Sequence, residues 1–236
     1  TSGKGCNGIT AGGASISDGK LILTGALNSY VEIPLGEDNP FGGMHDYSIQ
    51  ITFSSTDGQQ PLLSSCLLFP GDDEDPLIVH TQDDGRLGVR CANLASADGI
   101  LNFNDGAMHC AVVVNKTALS TFFFYSDGLN DGNARLGCMP PSVEQNVVRI
   151  GSIVPDENFE WMELSDNFTG QIDSIRIYNY ALSKSEVVYL ATDGTGILPL
   201  RSPANLYNKE PPASQAVNFR DYAKLADSWL VQTLWP

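Results

Sequence analysis

Apolar and polar residues alternate in short runs along most of this chain, with the period of two that a pleated backbone imposes. Lys20–Leu23, Ser29–Ile33 and Tyr47–Phe53 open the series. Similar runs follow at Leu62–Phe69, Leu77–Thr81, Arg86–Cys91, Cys110–Asn115, Thr121–Tyr125 and Val147–Gly151. Aspartate–glycine pairs beginning at Asp57, Asp84, Asp98, Asp105, Asp127 and Asp131 punctuate them. Each pair is a turn signal, because glycine accepts the positive φ that tight hairpins demand. Many short strands between turns predict an all-β sandwich or barrel. Within Phe122-Phe123-Phe124 the alternation must split the rings between the core and the outer face. Residues 1–15, rich in Gly, Ser, Thr and Ala and without a period, read as loop.

The stretch from Asn167 to Leu190 is a strand that gives way to a short helix. Ile172, Ser174, Arg176 and Tyr178 alternate with Asp173, Ile175, Ile177 and Asn179. Ser183 followed by Glu186 then forms the capping box, in which each side chain answers a backbone N–H left free at the helix start. Val187, Val188, Leu190 and Ala191 would supply the buried face. Beyond it the style changes: residues 199–216 are a proline-rich linker and residues 217–236 a helical tail. Asn218 caps that tail, Asp221 sits in its first turn, and Phe219, Tyr222, Ala223, Ala226, Trp229 and Leu230 line one face.

The closing stretch also resembles the last segment of laminin-G-like domains in the concanavalin A-like lectin and glucanase superfamily. Phe168, Gly170, Ile172, Asp173, Arg176, Ile177, Tyr178, Ala181, Leu182, Ser183 and Glu186 follow that pattern position by position. Asp105-Gly-Ala-Met-His109 stands for the usual D-G-x-W-H, Tyr125-Ser-Asp-Gly128 for Y-V-D-G, and Val148-Arg-Ile-Gly151 for the strand ahead of the close. The resemblance implies a concanavalin A-like jelly-roll β-sandwich over residues 1–198, with a short capped helix after the last strand and a C-terminal amphipathic helix. Two departures stand out. Met108 replaces the usual Trp, a change expected in the core, and the aromatic first strand before Gly12-Gly13 is missing. A sandwich lacking that strand would expose an unpaired edge, a template for joining another chain. The tail resembles the second half of a dockerin-type calcium repeat through Val217, Asn218 and Asp221. Glu210, Pro212, Ser214 and Gln215 stand where such a loop supplies its ligands and glycine.

Composition narrows the partners. The chain carries 28 acidic and 13 basic residues, a formal charge of −15. Such a balance excludes nucleic acid, whose binders need Lys and Arg to displace counterions from phosphate. It suits solubility in secretion and also Ca²⁺, a hard cation that takes oxygen ligands. No run of some eighteen apolar residues spans a membrane. The opening Thr1-Ser-Gly-Lys-Gly, without an initiator Met or an apolar segment, reads as a processed product or fragment of a secreted, cell-surface protein. Cys6, Cys66, Cys91, Cys110 and Cys138 lack zinc spacing. Spacing alone fixes no connectivity. Cys66 with Cys91 and Cys110 with Cys138 are the preferred disulfides, as links between candidate neighbouring strands, and Cys6 is left free or bridging to another chain. Five reduced cysteines are the alternative.

Candidate chemistry is sparse. Glu157, Glu160 and Glu163 are spaced by three in a segment without strand period, unlike the carboxylates that glucanases of the resembled superfamily set along one strand. His45, His80 and His109 lie in separate segments with no nucleophile motif. No catalytic residue is therefore assigned. The resemblance makes Asp173 the candidate Ca²⁺ ligand, against a structural Asp accepting backbone hydrogen bonds; the acidic run at residues 72–75 is a second candidate, against a hydrated turn. Aromatic faces and amides suited to sugars put forward Trp161, Tyr125, Asn158 and Asn130 as ligand-binding residues. Asn115-Lys-Thr and Asn167-Phe-Thr match the glycosylation pattern. The expectation is a non-catalytic extracellular module that binds glycan or a surface or matrix protein at a bacterial surface, with calcium as a stabilising ion. The alternatives are a structural subunit that assembles with copies of itself into a homo-oligomer or polymer, and, third, a glycoside hydrolase.

Overall fold

The computed structural model describes residues 8–26, 28–34, 46–66, 77–91, 97–135, 147–153 and 167–194. The strands, in chain order, are β1 (Ile9–Ala11), β2 (Ser15–Ser17), β3 (Lys20–Thr24), β4 (Tyr30–Pro34), β5 (Tyr47–Ser54), β6 (Pro61–Cys66) and β7 (Leu77–Thr81). There follow β8 (Arg86–Cys91), β9 (Ala97–Asn102), β10 (His109–Lys116), β11 (Thr121–Ser126), β12 (Leu129–Arg135), β13 (Val147–Ile150) and β14 (Thr169–Tyr178). A single 3-10 turn, Thr117–Leu119, joins β10 to β11, and helix α1 (Lys184–Ala191) follows the last strand. The strands form two seven-stranded sheets, β1-β4-β13-β6-β7-β8-β9 and β12-β11-β10-β5-β14-β3-β2. All the described pairings are antiparallel.

The period of two decides which side chains fill the space between the sheets. Tyr47, Ile49, Ile51 and Phe53 of β5, Ala111 and Val113 of β10, and Phe122 and Phe124 of β11 point inward. Leu63, Leu77, Val79, Leu87, Val89 and Val148 meet them from the other sheet. Phe168, the first residue of the closing motif, packs edge-on against Phe53 with ring centroids 6.0 Å apart, and Phe53 stacks on Phe103 at 5.5 Å. Burying each such ring contributes about 1.5–3 kcal/mol relative to exposure.

Strict alternation fails at one position in β14. Ile172, Ile175 and Ile177 all pack in the core although they are spaced three and then two. The register explains it: Ile172 pairs with Phe53 and Ser174 with Thr52, leaving Asp173 as an unpaired extra residue. Such a bulge turns the following side chains over by one position.

Several expectations are corrected. Residues 1–15 are not all loop: Ile9–Ala11 pairs with Tyr30–Glu32 and forms the margin of its sheet. The position of the missing first strand is thus occupied by the chain itself, with isoleucine in place of an aromatic residue. Asp98-Gly99 and Asp131-Gly132 do not make turns but lie inside β9 and β12. Met108 is 37% exposed and so does not replace a core Trp. Cys66 and Cys91 end β6 and β8, which β7 separates. Strands two apart lie about 9–10 Å from each other, beyond the usual Cα separation of a disulfide. Cys110 is a buried thiol, and Cys138, its expected partner, lies outside the described residues. The Cys110 thiol faces the Gln50 amide at 3.8 Å, and burial pushes its pKa up. Cys6, Cys138 and the tail from 199 to 236 lie outside the described residues.

One margin of the sandwich is closed by a single carboxylate. Asp131, 1% exposed, accepts from the backbone N–H groups of Ile100 (2.8 Å) and Leu101 (2.7 Å) through Oδ1 and from the Ser126 hydroxyl (2.7 Å) through Oδ2. The donors Ile100 and Leu101 belong to β9, the last strand of one sheet, while Asp131 lies on β12, the first strand of the other. Gly99 lets β9 approach, because a Cβ there would overlap Asp131 Oδ2. We expect Asp131→Ala to strip three donors of their acceptor and cost about 3 kcal/mol, lowering Tm by about 6–12 °C in thermal denaturation. Asp131→Asn, which keeps one acceptor oxygen, should lose less.

Candidate functional site

The outer face of the second sheet begins with the residues that alternation turns away from the core. Phe123 and Tyr125 of β11 and Cys110, Val112 and Val114 of β10 form a second apolar cluster there. Leu182 and Val187 cover it, with Ala181, Leu190 and Ala191 packed alongside. The cover is pinned by Ser48: its hydroxyl donates to the Tyr180 carbonyl (2.9 Å) and its oxygen accepts from the Leu182 N–H (2.9 Å). Helix α1 then starts with the expected capping box, Glu186 N–H donating to Ser183 Oγ and Ser183 N–H donating to Glu186 Oε2. Of its predicted buried face, Val187 is fully buried and Leu190 and Ala191 are half-buried.

Between the start of α1 and strands β11 and β12 lies an open groove of about 450 Å³. Phe123, Tyr125, Asn130 and Asn133 line it together with Lys116, Leu182, Ser183 and Lys184. A bulge produces this set. Phe123 pairs with Asn133 and Tyr125 with Asn130, while Asp131 between them is the unpaired residue. On a regular strand, residues 130 and 133 would face opposite sides. With Asp131 turned inward to bind β9, and Gly132 at a φ of 123°, both amides sit opposite outward-facing aromatics. The Tyr125 phenol is pushed up from the usual tyrosine range by burial, against a hydrogen bond with the Asn130 side chain. The Lys116 ammonium lies over the Phe123 ring, 5.5 Å from its centroid.

A second polar constellation lies where β10 begins. His109 Nδ1 contacts Asp127 Oδ2 at 3.0 Å and its Nε2 contacts Asp105 Oδ1 at 2.9 Å. Asp127 Oδ1 also accepts from the Cys110 N–H at 2.9 Å, and its own N–H donates to the Cys110 carbonyl at 2.8 Å. The ring packs edge-on against Phe103 at 5.2 Å. Burial opposes charge on the imidazole, yet the hydrogen bonds to Asp127 and then Asp105 outweigh it and its pKa rises. The same bond from His109, with help from the Ala107 N–H, holds Asp105 below the usual carboxylate range. Because a carboxylate occupies each ring nitrogen, neither is free to act as a general base. This is a clamp that ties the loop before β10 to the β11–β12 hairpin.

The other candidate residues fall out as follows. Tyr125 and Asn130 come together in the groove, whereas Trp161, Asn158, Glu157, Glu160 and Glu163 lie outside the described residues, as do the acidic run at 72–75 and His45. His80 is buried in β7 with Nδ1 3.1 Å from the Thr81 carbonyl. Asp173 is exposed at the β14 bulge. Among the described residues no three His, Cys, Asp or Glu side chains gather into one cluster. The sequon residues Asn115 and Asn167 are 3% and 6% exposed, too buried for glycan attachment. The polar groove residues that sequence reasoning passed over are Asn133, Lys116 and Lys184. Reading Asp131-Gly132 as a bulge would have exposed the first.

Residues 24–188 match the laminin-G family described as the concanavalin A-like lectin/glucanases superfamily. The chain belongs to this superfamily. No curated protein matches its sequence. Solved structures of similar fold include domains LG4-5 of the mouse laminin α1 chain, at 15% identity and a TM-score of 0.55. That similarity covers 76% of this chain and spans 46% of the laminin fragment. Domain 4 of AbnA, an extracellular arabinanase from Geobacillus stearothermophilus, in complex with arabinotriose, is 17% identical over 76% of this chain and 82% of its own, with a TM-score of 0.58. The Ruminococcus gnavus IT-sialidase CBM40 bound to α2,3 sialyllactose is 12% identical over 79% and 96%, with a TM-score of 0.54. At such identities the likeness is one of fold. The superfamily's D-G-x-W-H and Y-V-D-G segments supply Asp105, His109 and Asp127 here, which makes those segments a structural clamp in this member.

The clamp has a pH signature. A raised folded pKa means that His109 stabilises fully below its unfolded value of about 6.5 and loses that contribution as pH rises through the folded value. Asp105 contributes above its own unfolded pKa and loses it as pH falls through the lowered folded one. We therefore expect the urea midpoints of wild type and His109→Gln to lie further apart at about pH 5.5 than at about pH 8.5. A gap that does not change with pH would contradict the ion-paired clamp.

Proposed function

We propose that this chain is a non-catalytic extracellular carbohydrate-binding module and that the groove between α1 and the β11–β12 hairpin is its site. The observation that carries this reading is the bulged pairing that sets Asn130 opposite Tyr125 and Asn133 opposite Phe123. Sugars present apolar C–H faces beside hydroxyls that both donate and accept. An aromatic row flanked by amides, each with two donors and an acceptor, meets both requirements. Fold relatives solved with arabinotriose and with sialyllactose support the class of ligand, though not the location of the site. The occupied nitrogens of His109 support a module without hydrolase chemistry.

The test is a glycan array followed by calorimetry on the leading hits. Wild-type protein is expected to bind a defined set of oligosaccharides, and Asn133→Ala or Asn130→Ala to weaken the interaction about tenfold, the loss of one or two hydrogen bonds. Because no carboxylate among the described residues lines the groove, EDTA should leave that affinity unchanged. Absence of binding to any glycan, or binding indifferent to both asparagines, would refute the assignment. Release of reducing sugar that survives both substitutions would point to hydrolase chemistry elsewhere on the chain.

A further inference from the structure

We infer that the groove selects anionic glycans, sugars bearing a carboxylate or a sulfate, over their neutral counterparts; this rests on the reading of the groove as a glycan site. The chain has 28 acids against 13 bases, so a surface lined by cations alone runs against its composition. Lys116 and Lys184 both line the groove, from the end of β10 and the start of α1, and among the described residues no acidic side chain lines it with them. Against a net charge of −15, that local reversal of sign focuses anions towards one place on the molecule.

The ion pairs among the described residues are Arg86 with Asp84, Arg149 with Glu32, and His109 with Asp105 and Asp127. Neither groove lysine is among them. Lys116 is instead positioned over the Phe123 ring, 5.5 Å from its centroid, which holds an ammonium beside an aromatic platform without neutralising it. Lys184 is the first residue of α1 and is exposed. The acid nearest to it in sequence, Glu186, is already engaged by the Ser183 N–H and hydroxyl and by the Tyr180 hydroxyl. Glu186 therefore answers the helix start, and the positive field in the groove comes from the two side chains. An ammonium is a point charge that does not discriminate carboxylate from sulfate by geometry, so the inference names their shared negative charge.

The experiment compares matched ligands that differ only in the charged group: lactose, sialyllactose and sulfated lactose, together with neutral and acidic pairs drawn from whichever family the array selects. Binding is measured at low and high salt on wild type, Lys116→Gln, Lys184→Gln and the double variant, with circular dichroism confirming that each is folded. For wild type we expect a preference of about tenfold for the acidic member of a pair, the combined effect of two exposed ion pairs. Raising the salt should erode it. In the double variant the acidic-to-neutral ratio should fall towards one, with each single variant in between; should Lys116→Gln disturb the packing on Phe123, Lys184→Gln alone still carries the test. If carboxylated and sulfated ligands both show the preference, net charge is the selector; if only one does, its chemistry is the specific ligand class. Equal affinity for neutral and acidic members would overturn the inference and leave the groove as a neutral-glycan site. No glycan binding at all would overturn the underlying assignment and the inference with it.

Discussion

A buried carboxylate with three hydrogen bonds governs both the closure of this sandwich and the composition of its groove. Asp131 is drawn inward by the amides of β9 and the Ser126 hydroxyl. A charged oxygen placed where water is excluded has to be matched by donors, and here the donors come from the opposite sheet. The inward turn requires an extra residue in β12, and that residue resets the pleat so that Asn130 and Asn133 share one face. Core satisfaction and surface chemistry are thus two sides of one backbone irregularity. A sequence change that relieved the first would scatter the second.

The parts of the fold that were legible are those where period and packing agree. The strands at β3, β4, β5, β7, β8, β10 and β11, the capped helix and the closing motif all follow from alternation and cap chemistry. The splitting of Phe122, Phe123 and Phe124 followed as well, with the outer two in the core and the middle ring on the groove side. What escaped were places where a local signal was overridden by a long-range one. Asp98-Gly99 and Asp131-Gly132 carry hairpin chemistry, yet each lies within a strand because the two segments bind one another across the sheets. Ile9–Ala11 has too short a pattern to stand out and becomes a strand through its pairing with β4. The groove was half visible for the same reason: Tyr125 and Asn130 announce themselves as an aromatic and an amide beside a turn. Asn133 requires the bulge, and Lys116 and Lys184 require the tertiary approach of α1.

The residues that mark membership of the superfamily do their work inside the framework. Phe168 fills the core, Asp173 supplies the bulge that lets three isoleucines face one way, Ser183 and Glu186 cap a helix, and His109 binds two aspartates. Of the signature residues, Tyr125, Leu182 and Ser183 also line the groove. A shared signature of this kind transmits an architecture and does not by itself name a ligand.

Ser48 adds a consequence of a different sort. It stands on β5, between core residues Tyr47 and Ile49, yet its hydroxyl holds both the Tyr180 carbonyl and the Leu182 amide on the far side of the sheet. The wall of the groove formed by Leu182 and the helix start is thereby fastened to the same strand that anchors the interior. Floor and wall are thus tied through one strand, so under the proposed reading a glycan would meet a groove whose two sides are already joined. On that reading the ordering entropy of recognition would fall on the ligand more than on the protein.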